Sequence, residues 1–136
     1  MSLILDTNAY SALMQGHAGT AARVREARAV RIPSVVLGEL LAGFRAGNRE
    51  SKNRDALERL LQHPLFDVLP VTQATAEHYA AIWMELRRRG TPIPTNDLWI
   101  AAQARETHGE LLSFDRHFDA VDGIRFSRLV DPSRSS

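Results

Sequence analysis

Leu3-Ile4-Leu5-Asp6-Thr7-Asn8 opens the chain with three apolar residues running straight into a carboxylate. Three residues are too few for a helix, and an uninterrupted apolar run suits a strand buried on both faces, as in a parallel sheet. Asp6 then stands at the exit of that strand, where a buried charge costs free energy unless something compensates it. The compensation has to come from elsewhere in the chain.

The same arrangement recurs near the other end. Leu111-Leu112-Ser113-Phe114 reads as a second short buried strand, and it delivers Asp115. Between the two, residues 9–14 suit a short helix ended by Gly16, and residues 20–27 a second one begun by Gly19 or Thr20. Val30-Arg31-Ile32 predicts a strand stopped by Pro33, with Ser34 as N-cap of a helix reaching about Phe44. On that helix Val36, Leu40 and Phe44 share one face, and Glu39 lies among apolar neighbours. Residues 56–62 continue as an amphipathic helix with Leu57, Leu60 and Leu61 inward, and residues 66–71 as a strand. A helix over 74–89 then presents Tyr79, Ile82, Trp83 and Leu86 as a core stripe and stops at Gly90. After Thr91-Pro92-Ile93-Pro94, Thr95 is placed to cap a helix that starts with Asn96 and Asp97, is apolar on most sides, and ends at Gly109. A last strand falls at 124–126, so residues 1–130 form one domain with a polar, poorly ordered tail at 131–136.

Strands alternating with helices predict an α/β fold with a parallel sheet covered on both faces. Ligands of such sheets bind beyond the carboxyl ends of the strands, at the point where the strand order reverses. Asp6 and Asp115 end strands on that edge, and Glu39 and Asp97 lie in early helical turns that project to it. Singly, each acid has an ordinary explanation as a cap, a turn residue or a solvated side chain. Together they repel, because two unit charges about 4 Å apart cost roughly 4 kcal/mol at an effective dielectric near 20. Something positive should sit among them.

Composition narrows what that can be. With no cysteine, thiolate catalysis and cysteine zinc sites are excluded, and the five histidines show no paired ligand spacing on one helix. Any metal is therefore expected to be held by oxygen, which favours magnesium or manganese; calcium lacks its loop signature. Ions so held can activate water and stabilise a leaving oxygen, which points to hydrolysis of a nucleic-acid backbone. The net charge of +1 does not by itself announce a nucleic-acid binder, although sixteen of the seventeen basic residues are arginine. No apolar run approaches the roughly 18 residues of a membrane span, and the chain does not open with a leader pattern, so a cytoplasmic location is expected.

Four segments taken together carry a family resemblance: Leu5-Asp6-Thr7-Asn8, Glu39-Leu40-Leu41-Ala42-Gly43, Asn96-Asp97-Leu98-Trp99-Ile100-Ala101-Ala102 and Leu112-Ser113-Phe114-Asp115-Arg116-His117-Phe118. In order and spacing the chain resembles PIN-domain ribonucleases, and among them the VapC-type toxins of toxin-antitoxin pairs. The resemblance implies a three-layer α/β/α fold with about five parallel strands in the order 3-2-1-4-5. It implies that Asp6, Glu39, Asp97 and Asp115 hold magnesium or manganese, and that a metal-activated water cuts RNA to leave a 5′-phosphate and a 3′-hydroxyl. Thr7, Asn8 and Ser113 would orient the carboxylates or water. Arg45, Arg49, Lys52, Arg54, Arg87, Arg88, Arg89 and Arg116 are candidate phosphate contacts, and Asp119 is a surface residue. A homodimer, an RNA substrate and a VapB-type antitoxin are the implied partners. Aspartyl-phosphate enzymes also begin with a strand and Asp, but they need an acid where Asn8 stands and a late lysine where this chain has none. The competing reading of another class is a non-catalytic PIN-like adaptor for RNA or protein.

Overall fold

The computed structural model describes residues 1–131. Ser2–Leu5 forms β1, and its Leu3, Ile4 and Leu5 are buried, as expected of a strand covered by helices on both faces. There follow α1 (Thr7–Met14), α2 (Ala18–Glu26), β2 (Ala29–Pro33), α3 (Ser34–Ala46), α4 (Glu50–Gln62), β3 (Phe66–Leu69), α5 (Gln73–Arg89) and α6 (Thr95–Thr107). The chain closes with β4 (Glu110–Ser113), a 3-10 turn (Arg116–Ala120) and β5 (Arg125–Arg128). Every strand pairing is parallel, and the order is β3-β2-β1-β4-β5. This is the α/β/α architecture and strand order that the resemblance implied.

The order positions the site. From β1 the sheet grows through β2 to β3, and the chain then returns to lay β4 on the other side of β1. The direction reverses between β1 and β4, so a crevice opens beyond their carboxyl ends. Leu5 is in register with Leu112, so the next residues, Asp6 and Ser113, lie side by side at the carboxyl edge of the sheet. Behind them α6 buries Leu98, Ile100, Ala101, Ala102 and Ala104, and the small alanine side chains let it pack closely. Gln103, also buried, donates from Nε2 to the Leu69 carbonyl at 2.8 Å and ties α6 to the end of β3.

Several local expectations need correction. The helix α2 begins earlier than predicted and is capped by His17, whose Nδ1 accepts the Thr20 N–H at 3.1 Å, rather than by Gly19 or Thr20. Ser34 lies inside α3 and spends its hydroxyl on the Leu69 carbonyl across the sheet, leaving Pro33 in the cap position. Thr95 likewise lies inside α6, with Pro94 before it. Pro33 is the last residue of β2, in register with Leu69 and immediately before α3. The helix α4 starts at Glu50 and β3 stops at Leu69, so the first is longer and the second shorter than predicted. His108 takes the left-handed conformation that closes α6, with φ 60°. Gly109 instead lies close against β1, where a Cβ would sit a tight 3.0 Å from Ile4 Cδ1. Of the predicted stripe on α5, Ile82 and Leu86 are buried, whereas Trp83 remains 41% exposed with the Arg87 guanidinium 5.1 Å from its ring centre. Apart from Asp131, the predicted tail lies outside the described residues.

Candidate active site

Asp6 does two things at once. Its Oδ1 caps α1 by accepting the Ala9 N–H at 2.9 Å, while its Oδ2 accepts the Ser113 hydroxyl from the neighbouring strand. Ser113 Oγ in turn accepts the Asp115 N–H at 2.9 Å, so one serine links the exits of β1 and β4. Only 6% of Asp6 is exposed. Burial raises its pKa to about 6; the Ser113 and Ala9 hydrogen bonds oppose that rise, and the charges of Asp97 and Asp115 add to it.

Glu39 reaches the same edge from α3. Its Oε1 accepts the Thr7 hydroxyl at 2.6 Å and its Oε2 accepts from Asn96 Nδ2 at 3.2 Å, so residues of two other helices fix one carboxylate. Asp97 comes from the first turn of α6, where a negative charge also complements the helix dipole. Burial raises the Asp97 pKa, the His117 hydrogen bond opposes this, and Asp115 and Glu39 push it further up. His117 Nδ1 lies 2.8 Å from Asp97 Oδ2 and 3.0 Å from Asp115 Oδ1, and the His117 N–H is bonded to that same Asp115 oxygen at 2.9 Å. Asp97 is therefore within electrostatic reach of the other three predicted acids at the switch point.

Thr7 and Ser113 sit where orienting groups were expected, each bonded to one of the acids. Asn8 does not, since its side chain is exposed on α1 and, among the described residues, bonds to none of the four. Two contributors had no role assigned from sequence, Asn96 and His117, although both fall inside the segments that carried the resemblance. The signal for His117 was its place two residues beyond Asp115; a search for helical ligand spacing passes over a 3-10 turn. Of the candidate phosphate contacts, Arg116 is exposed directly beside Asp115, Arg49 is exposed ahead of α4, and Arg45 lies 3.6 Å from Glu50. Arg87 lies on Trp83, and Arg89 is committed to Asp122 and the Ala120 carbonyl. Asp119 is exposed, 3.5 Å from Arg128.

Among the described residues, Asp97, Asp115 and His117 offer ligand atoms that all lie within 4.8 Å of one another. Carboxylate oxygens in excess, one of them buried against its own charge, form a donor set that suits a small divalent cation.

The sequence profile of the PIN domain matches residues 3–124. The chain belongs to the PIN-domain family. Within that family it is 34% identical over 127 residues to ribonuclease VapC1 of Rickettsia felis, with 91% of this chain and 93% of that protein covered. It is 33% identical over 95 residues to the tRNA(fMet)-specific endonuclease VapC of Shigella flexneri, covering 69% of this chain and 70% of that one. Among solved structures, VapBC-1 from nontypeable Haemophilus influenzae superposes with a TM-score of 0.82 at 26% identity, over 94% of this chain and 98% of that chain. The PIN domain described here is thus of the VapC type, in sequence and in fold.

Proposed function

We propose that this PIN domain is a metal-dependent endoribonuclease and the toxin of a toxin-antitoxin pair. The observation that carries the reading is the convergence of Asp6, Glu39, Asp97 and Asp115 at one reversal of strand order. A non-catalytic adaptor has no use for three carboxylates gathered around Asp97 and raising or sharing its repulsion, with the pKa values of Asp6 and Asp97 raised by burial. The ribonuclease names of its VapC relatives support RNA as the substrate. The VapBC complexes among its structural neighbours support a VapB-type antitoxin as partner. A homodimer acting in the cytoplasm completes the proposal.

Asp6, Asp97, Asp115 and Glu39 would hold magnesium or manganese, directly or through water. Such an ion, when bound, supplies a water of lowered pKa and charge stabilisation for the leaving oxygen. The protein's part is orientation. Ser113 holds Asp6 and the Asp115 backbone in one geometry, and Thr7 with Asn96 clamps both oxygens of Glu39. Arg116, exposed beside Asp115, would contact a backbone phosphate.

Incubating the purified chain, free of any antitoxin, with total RNA plus magnesium or manganese and sequencing the new ends tests the chemistry. Fragments with 5′-phosphate and 3′-hydroxyl ends are expected. Cyclic 2′,3′-phosphate ends would overturn the hydrolytic mechanism, and intact RNA would favour the adaptor. The same sequencing identifies the RNA that is cut.

A further inference from the structure

We infer that His117 supplies an imidazole nitrogen to the divalent ion held by Asp97 and Asp115, so that the site is a mixed nitrogen and oxygen site favouring a first-row transition ion over magnesium. The inference rests on the metal-dependent reading above and adds a ligand to it. Its ground is geometric. The Nδ1 atom is 2.8 Å from Asp97 Oδ2 and 3.0 Å from Asp115 Oδ1. Neighbouring donors around an octahedral ion with bonds of about 2.1 Å are separated by roughly 3 Å, so Nδ1 already has the spacing of an adjacent ligand to each carboxylate oxygen, and all three atoms lie within 4.8 Å of one another.

The position of the ring is not accidental to the backbone. Asp115 precedes the 3-10 turn as its cap, and its Oδ1 accepts the His117 N–H at 2.9 Å. The carboxylate that would bind the ion thus also fixes the turn that carries the imidazole. The ring is 46% exposed, so a change from hydrogen-bonded to ion-bound nitrogen requires no repacking of the core. Magnesium prefers an all-oxygen shell and keeps its waters, whereas imidazole is a good ligand for first-row transition ions. A nitrogen at this place therefore separates ions that the carboxylates alone would accept nearly equally.

Manganese(II) is the probe, because its electron spin senses a directly bound nitrogen. With manganese added to the purified chain, pulsed electron paramagnetic resonance should show nitrogen-14 modulation that disappears in a folded His117→Gln variant. Selective nitrogen-15 labelling of histidine in the unaltered chain should replace the nitrogen-14 signal, which gives the answer without any substitution. In parallel titrations the variant should lose manganese affinity by on the order of tenfold or more while magnesium affinity stays nearly unchanged. Bound manganese without histidine modulation, or modulation that persists in the variant, would overturn the assignment of His117 and leave the ribonuclease reading standing. Failure of both ions to bind would overturn both.

Discussion

Asp97→Asn leaves RNA essentially uncut, with a loss of rate on the order of 10² to 10³ and no loss of fold. Asparagine has the shape of aspartate and keeps the first turn of α6 in place, but it removes the negative charge that faces Asp115, Glu39 and His117. Since burial and like charges already raise the Asp97 pKa, the substitution relieves repulsion in the metal-free protein. Thermal melts should therefore show the variant at least as stable as the parent. Parallel digests of one RNA by the two proteins supply the rates. Equal cleavage by both would remove Asp97 from the mechanism.

Asp6→Asn should separate activity from stability still further. The Asp6 pKa stands at about 6 in the folded protein against a reference of 3.8, a difference worth about 3 kcal/mol. Because the folded state holds the proton more tightly, this group stabilises the fold fully below pH 3.8 and loses that contribution as pH rises through about 6. In chelator at pH 7.5 the variant should melt higher than the parent by roughly 5 to 10 °C. The gap should close as pH falls below about 4. Divalent ion should raise the melting temperature of the parent and leave the variant nearly unaffected, while RNA cleavage by the variant is lost. A stability gap between variant and parent that does not change from pH 4 to pH 7.5 without metal would show that the Asp6 charge is compensated by the protein itself.

Much of the fold was legible because it rests on patterns that survive tertiary packing. Leu3-Ile4-Leu5 and Leu111-Leu112 are apolar in unbroken runs, and each is followed by a turn carrying an acid, so strand, burial and edge could be read together. Helix caps were not legible to the same degree, because they depend on what else a side chain can reach. Ser34 finds the Leu69 carbonyl and His17 finds the Thr20 N–H, and neither partner is visible locally. Trp83 looked like core because its spacing matched that of Ile82 and Leu86, yet it falls at the margin of the buried face of α5. In the site, the acids could be proposed because strand and helix ends converge at one edge. The Asn96 contact to Glu39 spans 57 residues and the His117 contact to Asp97 spans 20, and only the folded chain brings those partners together.

The metal requirement of RNA cleavage tests the central claim most directly. The purified chain is stripped with chelator, assayed on RNA, and assayed again after magnesium or manganese is restored in excess. Cleavage should vanish with the chelator and return with either ion, giving the same fragments. Undiminished cleavage in chelator, at the same positions, would contradict a site in which Asp6, Glu39, Asp97 and Asp115 act by holding a divalent cation.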